Sequence, residues 1–353
     1  MPSLNIFEQD AFGVITLTDS VNSFPFVPGR AGQVINWAER GVTTTTIMIE
    51  SIEGTLKLLN PTPRGGPGET KAKDKAVARS LVIPHYQYDD GINADEVQGV
   101  RAFGSETEVA SVTTIVNQRL SEAVTSLLDP TLELQRLGAV KGVILNANGT
   151  TLYDLFSEFV VTQETEIDFD LDAASPASGA LRLACASAVR KMADNLGGVG
   201  FTGAHAFCGN AFFDGLISHK EVVESYKGTS MAEVLRNGYV IPNSNGNKIY
   251  GVFEFGGIVW ENYRGKNGTS DMVHTDKCHI FPTGVPSLFR TVYAPADYIE
   301  TVNTNGLPRY ARQYLSANGK RIELESQSNP LSYCTRPKVL LKGCLLYTSP
   351  SPR

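Results

Sequence analysis

The chain has 353 residues, a length that suits about two domains of ordinary size. Hydrophobic residues make up 42% and charged residues 19%, a balance that excludes a disordered protein. The formal charge of −6 argues against a dedicated nucleic-acid-binding protein, which would carry a surplus of basic residues. The N-terminus lacks a secretory signal, no run is as apolar as a membrane span, and the five cysteines are scattered. We therefore expect a soluble protein that is made in a reducing cytosol.

The first 45 to 50 residues have the pattern of an extended arm. Pro25, Pro28 and Gly29 interrupt any helix in this segment. Four consecutive threonines at positions 43–46 favour extended backbone because their side chains are β-branched. The sequence therefore predicts an N-terminal arm rather than part of a domain.

A projecting hairpin is predicted after the arm. Residues 46–59 have a strand pattern, a polar segment that opens with prolines and glycines follows at 60–78, and residues 80–84 predict a returning strand. Two strands joined by so long a connection cannot stabilise themselves, so they imply a partner surface. From position 64 to 79 there are five basic and two acidic residues, a local formal charge of +3. A basic loop can steer onto an acidic neighbour, although charged residues often only keep a loop soluble. The candidate inter-subunit contact residues are Arg64, Lys71, Lys73, Lys75 and Arg79.

A long helix with one buried stripe is predicted next. Ser105 and Glu108 form a capping-box signature, which places the start of the helix there. Pro130 is expected to end or kink this helix, and a second helical stretch is predicted from 131 to about 140. Spacings of three and four residues define the stripe, which consists of Val109, Val112, Val116, Leu120, Val124 and Leu127.

The rest of the chain alternates between helix and strand patterns. Asn148-Gly149 between two apolar runs predicts a tight hairpin, and residues 176 to about 320 predict a mixed α/β region. The predicted elements there and beyond are a helix ending at Gly197, one or two helices over 212–226, a strand pair folded at Gly256-Gly257, and closing strands at 321–325 and 338–341.

Two glycine-rich segments match the letters of nucleotide-binding motifs. The glycines at 198, 200 and 203 have dinucleotide-fold spacing, but the predicted helix precedes them, so a helix end and turn is favoured. The segment 65–71 lacks the Gly-Lys-Ser/Thr ending of a phosphate loop, and Pro67 removes one backbone donor. Neither segment predicts a cofactor.

Catalytic and metal-binding patterns are weak. His274, Cys278 and His279 are near one another in sequence, with His205 and Cys208 as a second pair, and ordinary packing is favoured over a zinc site. Residues 167–172 alternate apolar and acidic side chains, which fits a half-exposed strand better than a pair of catalytic carboxylates. We predict no catalytic, cofactor-binding or metal-binding residue.

The order of these elements and several groups of residues resemble the phage major capsid protein E family, to which the lambda head protein belongs. The resemblance covers about residues 4–343, and the order and spacing of its motifs are more specific than any one of them. The groups that carry it are Gly41-Val42-Thr43-Thr44 with Pro63-Arg64-Gly65, the segment 131–142, Asn148-Gly149 before Tyr153-Asp154-Leu155-Phe156, and Asn329-Pro330-Leu331 with Thr335-Arg336-Pro337.

The resemblance implies an α+β chain with the tailed-phage major capsid fold. Its parts would be an N-terminal arm at 1–45, an extended loop hairpin at 46–100, a peripheral domain at 101–175 plus 320–343 with a spine helix and a small sheet, and an axial α/β domain at 176–319. Residues 344–353 resemble the translation of a transposase-type sequencing adapter, so we expect them to be foreign to the natural protein.

The resemblance also implies a function without an active site. The chain would be the major capsid protein of a tailed bacteriophage and form hexamers and pentamers of an icosahedral shell around double-stranded DNA. Its partners would be further copies of itself, a scaffold protein, a portal and an optional decoration protein, in the host cytoplasm during assembly and in the virion afterwards. Two alternatives stay open. One is an encapsulin-type nanocompartment shell, and the other is a cytosolic oligomeric α/β enzyme with a ligand pocket in 176–320.

Overall fold

A computed structural model describes residues 13–24, 29–51, 77–97, 108–173, 176–227, 240–242 and 248–345. Its α-helices are α1 Val14–Ser23, α2 Arg30–Val34, α3 Ala94–Val97, α4 Glu108–Ala123, α5 Asp129–Lys141, α6 Leu155–Glu158, α7 Ala180–Leu196, α8 Asn210–Ser218 and α9 Lys220–Tyr226. Its strands are β1 Ala38–Gly41, β2 Thr46–Ser51, β3 Val77–Val82, β4 Tyr86–Asn93, β5 Val143–Leu145, β6 Thr151–Asp154, β7 Ile167–Asp168, β8 Gly203–Cys208, β9 Val240–Pro242, β10 Lys248–Tyr250, β11 Val252–Phe255, β12 Ile258–Asn262, β13 Lys266–Asn267, β14 Ser270–Asp271, β15 Lys277–Thr283, β16 Phe289–Tyr293, β17 Tyr310–Leu315, β18 Arg321–Ser328, β19 Pro330–Cys334 and β20 Leu341–Cys344. Short 3₁₀ turns lie at Ile299–Thr301 and Pro337–Val339.

The largest sheet of the described residues has six strands in the order β11-β12-β8-β15-β20-β7. The pairs β12–β8 and β20–β7 are parallel, and the other neighbours are antiparallel. Two further sheets have three strands each, in the orders β1-β16-β19 and β17-β18-β4. This mixture of sheets and helices is the expected α+β class. No described helix is both long enough and apolar enough to span a membrane.

Four apolar clusters form the core of the described residues, the smallest of them around Tyr298 and Tyr310. The largest contains Trp37 and residues of α2, α5, β16 and β19, such as Leu137 and Phe289. The second covers one face of the six-stranded sheet with side chains of α7 and α8, such as Met192 and Phe212. The third joins α1 and α4 to the sheet of β4, β17 and β18. The N-terminal segment therefore contributes buried residues to two of the four clusters.

The predicted extended arm is wrong for residues 14–23, which form the helix α1. Leu17 and Val21 are buried, and their i, i+4 spacing places both on the face that packs against α4 and β17. Tertiary burial of this stripe stabilises the helix, which ends before the prolines. Residues 1–12 and 25–28 lie outside the described part.

The long predicted helix exists, but one member of its predicted stripe is wrong. Val116, Leu120 and Val124 are buried, whereas Leu127 is 41% exposed and Leu128 is buried. A π-helical turn over Val124–Leu128 explains the shift, because its wider turn inserts one residue and advances the buried face by one position. The start predicted at Ser105 and the side chains of Val109 and Val112 lie outside the described residues.

Pro130 does not end the helical run. It occupies the second position of α5, directly after the π-helical turn, where a missing backbone N–H is tolerated. The second predicted stretch, 131 to about 140, is confirmed as the body of α5. Gly142 then ends α5 with a positive φ of 80°, a conformation that glycine adopts without strain.

Most of the predicted turns and helix ends are confirmed. Strands β5 and β6 form the hairpin around Asn148-Gly149, and α7 stops at Gly197 with φ 63°. The segment 212–226 contains two helices, α8 and α9, and β11 and β12 pair across Gly256-Gly257. Helix α7 precedes the glycines at 198–203 and strand β8 follows them, the order that disfavours a dinucleotide turn.

Two strand predictions need correction. The acidic alternation at 167–172 is a strand only over Ile167–Asp168, because Asp170 adopts a positive φ of 49° that ends the extended run. The closing strand predicted at 338–341 begins only at Leu341, after the 3₁₀ turn that starts with Pro337. This strand continues to Cys344, which is buried and pairs with Asp168.

Gly306 illustrates how closely the backbone segments pack. Its amide donates to the carbonyl of Val42 at 2.9 Å, and a Cβ at this position would overlap the carbonyl group of Tyr293. We expect Gly306→Ala to lower the free energy of unfolding by about 2 kcal/mol, because backbone atoms must move to admit the methyl group. Denaturant titration of the purified protein measures the loss. Gly200→Ala is the control, since its Cβ would meet nothing within 4 Å, and equal midpoints for both variants would contradict the steric argument.

Candidate assembly surfaces

The β2–β3 hairpin has one buried and one exposed face. The antiparallel register pairs Ile47 with Leu81 on the buried face, where they are 5% and 1% exposed. Met48 and Val82 lie on the other face and are 74% and 57% exposed. Both expected strands are therefore confirmed next to the connection, and the outer face of the pair presents two large apolar side chains.

Polar contacts hold the base of this hairpin to the body. The hydroxyl of Tyr153 accepts a hydrogen bond from the amide of Val82 at 3.0 Å and donates one to its carbonyl at 2.8 Å. These two bonds satisfy the backbone polar groups of Val82 at the free edge of β3. The amide of Ile83 donates to the carbonyl of Thr45 at 2.8 Å. These contacts fix the end of the hairpin that lies opposite the connection between β2 and β3.

One of the five candidate inter-subunit residues lies in the described part. Arg79 is on β3, and its guanidinium lies 3.6 Å from the carboxylate of Glu158 in the same chain. Their side chains are 44% and 28% exposed, so the pair stabilises the fold by less than about 1 kcal/mol. The exposure leaves Arg79 accessible to another subunit. Arg64, Lys71, Lys73 and Lys75 lie outside the described residues, and the structure places none of them.

Helix α2 is attached to the body through Glu133 of α5. The carboxylate accepts hydrogen bonds from the amides of Ala31 at 2.7 Å and Gly32 at 3.1 Å, which are free donors in the first turn of α2. The hydroxyl of Tyr263 donates to the same carboxylate at 2.9 Å. Burial raises the pKa of Glu133 despite these donors. A side chain of α5 therefore caps α2, a helix of the N-terminal segment.

A second contact joins α2 to the six-stranded sheet. Arg30 donates two hydrogen bonds to Glu261 of β12, one of them 2.8 Å long, and His205 of β8 lies 3.0 Å from the same carboxylate. Burial alone would raise the pKa of Glu261, but the hydrogen bonds from Arg30 and His205 outweigh it, so the pKa is lowered. We call the residues Arg30, Glu133, His205, Glu261 and Tyr263 the anchor cluster.

The anchor cluster explains the perturbed buried groups of this region without an active site. An enzyme would be favoured by titratable groups that converge on an open cleft. Here the two carboxylates bind the arginine, the histidine, the tyrosine and two backbone amides of the same chain, and both carboxylates are buried. The arrangement stabilises the attachment of the N-terminal segment.

The histidines and cysteines that were weighed against a zinc site do not converge. His205 and Cys208 are three residues apart on β8, so their side chains emerge on opposite faces of the sheet. His205 bonds to Glu261, whereas Cys208 and Cys278 lie in the second apolar cluster. Among the residues that the structure describes, no three His, Cys, Asp or Glu side chains are grouped to hold a metal ion.

Removal of the Glu133 carboxylate is expected to free the start of α2. In Glu133→Ala the amides of Ala31 and Gly32 lose their acceptor, so their hydrogen exchange should accelerate by at least about tenfold, the equivalent of a lost hydrogen bond to a charged group. Hydrogen-exchange mass spectrometry of peptides that span α2 measures this. Glu122→Ala, on the exposed side of α4, is the control. Unchanged exchange in α2 would show that the carboxylate does not hold the helix.

Comparison with known proteins places the chain in a family. The family model described as phage major capsid protein E matches residues 13–344. The major capsid protein of Pseudomonas phage KPP10 is 29% identical over 97% of this chain and 98% of its own length. That of Salmonella phage Felix O1 is 25% identical over 95% of this chain and 96% of its own length.

Two solved structures share the fold at low sequence identity. A putative prophage capsid protein of Escherichia coli CFT073 has a TM-score of 0.55 at 12% identity, over 94% of this chain and 99% of that chain. A phage-related protein of Bordetella bronchiseptica RB50 has a TM-score of 0.51 at 9% identity, over 96% and 99%. The family match and both relatives favour the capsid protein over the encapsulin-type shell and the enzyme. The chain belongs to the phage major capsid protein E family and is a structural protein, not an enzyme.

Proposed function

We propose that this chain assembles with copies of itself into the hexamers and pentamers of an icosahedral tailed-phage head that encloses double-stranded DNA. The family match over residues 13–344 carries the proposal. Assembly would take place in the host cytoplasm around a scaffold protein and a portal, with an optional decoration protein on the finished virion. Contacts that are individually weak become strong in such a shell, because symmetry repeats them.

The division of the chain into structural parts belongs to the same proposal. The arm at 1–45 and the loop hairpin at 46–100 would reach neighbouring subunits. The peripheral domain would contain 101–175 and 320–343, and the axial domain at 176–319 would surround the local symmetry axes. Helix α1 and the anchor cluster support a smaller free arm, since they attach residues 14–34 to their own subunit.

Charge complementarity supports the hairpin as an inter-subunit contact. The segment from 64 to 79 has a formal charge of +3 on a chain of −6, which leaves −9 on the remainder of the same chain. A neighbouring copy therefore offers a net acidic surface to a basic loop. The exposed Met48 and Val82 at the base of the hairpin would add apolar area to that contact.

Electron microscopy of the expressed protein tests the proposed assembly. The full chain is expressed alone and together with a scaffold protein, and the purified material is examined in negative stain. Closed shells or rings of capsomers are the expected result. A uniform small oligomer in both preparations would overturn the proposal.

Reversal of the hairpin charge is expected to impair this assembly. In Lys71→Glu, Lys73→Glu and Lys75→Glu combined, the segment from 64 to 79 changes from +3 to −3, so it repels the acidic neighbour and shell yield should fall by at least about tenfold. Sedimentation of shells away from free subunits measures the yield. The matched control reverses three exposed lysines elsewhere, Lys220, Lys227 and Lys320, with the same change in net charge. Equal yields for both triple variants would show that the basic hairpin is not a specific contact.

A further inference from the structure

A concave site with basic walls lies beside the six-stranded sheet, and none of its lining residues belongs to the anchor cluster or to the β2–β3 hairpin. Its cavity has a volume of about 330 Å³, which suits a small ligand or a single chemical group of a larger one. The polar lining residues are Lys141, Gln163, His274, Lys277, His279 and Lys342.

The sheet register brings the central residues of this site together. His279 of β15 is directly paired with Lys342 of β20. Lys277 precedes His279 by two residues on β15, so the two side chains emerge on the same face. Lys141 is the last residue of α5 and approaches from the other side of the cavity.

His279 offers a hydrogen-bonding group to the cavity. Its side chain lines the cavity, the residue is 7% exposed, and its ring has no hydrogen bond within the described part of the chain. Burial, together with the positive charges of Lys141 and Lys342, lowers the pKa of His279 to about 3, so the ring is neutral and retains one N–H donor. The neutral ring can therefore donate one hydrogen bond to a ligand that enters the cavity.

The positive charge of the site exceeds its negative charge. Glu166 lies 2.9 Å from the ammonium of Lys277 and 3.7 Å from that of Lys342. Lys141 donates to the carbonyl of Met272 at 2.9 Å, and burial and the charge of Lys342 lower its pKa. Three ammonium groups and one carboxylate leave a formal charge of +2.

At the rim of the cavity, His274 bonds to the carboxylate of Asp276. The carboxylate of Asp276 also acts on Lys277, so it reduces the formal charge of the whole site to +1. The positive charge is concentrated deeper in the cavity, at the three lysines beside His279.

We propose that this cavity binds a phosphate group, with Lys141, Lys342 and His279 as its principal donors. Phosphate carries negative charge on several acceptor oxygens, which match the positive charge and the several convergent donors of the site better than the two oxygens of a carboxylate do. The group is either free inorganic phosphate or a phosphodiester of DNA. The negative net charge of the whole chain does not prevent phosphate binding, because binding depends on the charges around the cavity.

Equilibrium dialysis of the purified full chain against radiolabelled inorganic phosphate tests the site. We expect one phosphate per chain, and Lys342→Gln should weaken binding by at least about tenfold, as expected for the loss of one charge-assisted hydrogen bond. Lys266→Gln is the matched control, because Lys266 is an exposed lysine that also lies 4.0 Å from a carboxylate, that of Asp271. Absence of binding, or equal affinity of the two variants, would overturn the proposal.

Glu166→Gln is expected to strengthen phosphate binding, a result that a purely structural role of Glu166 would not produce. It removes the negative charge beside Lys277 and Lys342, so phosphate should bind severalfold more tightly. Weaker or unchanged binding would count against the site. Thermal unfolding of each variant without phosphate shows that the comparison concerns folded protein.

Two competition arms identify the source of the phosphate group. A short DNA duplex that displaces labelled phosphate from wild type, but much less from Lys342→Gln, would support the site and assign it to DNA phosphodiesters. Failure of the duplex to compete, with phosphate binding intact, would support the site for the free ion. Acetate competing as strongly as phosphate would overturn the phosphate assignment. Shell formation by Lys342→Gln is scored separately, so failure of the site and failure of the proposed assembly are distinguishable.

Discussion

Arg309→Met is expected to lower the free energy of unfolding by about 3–5 kcal/mol, the cost of leaving one charge of a buried ion pair without its partner. One terminal nitrogen of Arg309 donates to both carboxylate oxygens of Asp129, at 2.8 and 2.9 Å. The two side chains are only 6% and 3% exposed, so water cannot replace the lost partner. Denaturant titration of the unassembled protein measures the change.

Arg309 has a second role that increases the expected loss. Its other terminal nitrogen donates to the carbonyls of Val21 at 3.2 Å and Phe24 at 3.1 Å, which lie at the end of α1. The carbonyl of Arg309 itself accepts from the side chain of Asn22 at 2.9 Å. The variant should therefore also release α1 from β17, which hydrogen exchange of the segment 14–24 would detect.

Arg321→Met is the matched control for Arg309→Met. Arg321 also contacts both oxygens of one carboxylate, that of Glu323, at 2.6 and 2.7 Å, but its side chain is 50% exposed. Loss of this exposed pair should cost less than about 1 kcal/mol, although its contacts are equally short. Similar losses for both variants would show that burial does not determine the contribution of these pairs.

Local patterns in the sequence predicted the elements whose stability is local. The hairpin at Asn148-Gly149 and the end of α7 at Gly197 need only a turn residue and an apolar run, and both are confirmed. The sequence did not predict helix α1, because Pro25 and Pro28 disfavour a helix and the apolar stripe before them is short. Its stability comes from burial against α4 and β17, which are nearly 100 and 300 residues away.

The π-helical turn shows a different limit of pattern analysis. A regular α-helical spacing of three and four residues places Leu127 on the buried face. The π-helical turn inserts one residue, so Leu128 occupies that face instead. The turn lies directly before Pro130, which cannot donate a backbone hydrogen bond. A proline inside a long apolar helix is therefore a sequence signal for a shift of the stripe, and it could have been used here.

The anchor cluster was not predicted, although its residues leave a trace in the sequence. Glu261 follows Val259 and Trp260 in a buried strand, and Glu133 lies between the leucines of α5. A buried position with an acidic residue requires a partner, but nothing local identifies that partner. The partners of Glu261 are Arg30 and His205, which are distant in sequence and adjacent only in the fold.

Glu261→Gln is expected to lower the free energy of unfolding by about 3 kcal/mol at pH 7, the lower end of the range for a broken buried ion pair. Glu261 is almost fully buried, while the side chain of Arg30 is 26% exposed, which reduces the cost of leaving the guanidinium unpaired. The variant also leaves His205 without its anionic partner. Glu254→Gln, an exposed glutamate on the neighbouring strand β11, is the control and should differ little from wild type.

The pH dependence of this difference follows from the direction of the pKa shift. The pKa of Glu261 in the folded chain is below its ordinary value of 4.5, so its contribution to stability is complete above pH 4.5 and is lost as the pH falls through the folded-state pKa. Glu133 acts in the opposite direction, since a raised pKa favours its protonated form in the folded chain. Because wild type and Glu261→Gln both retain Glu133, its effect cancels in their difference. Denaturant midpoints of the two proteins should differ most at neutral pH and converge in acid, and a gap that stays constant down to about pH 3 would exclude Glu261 as the titrating group.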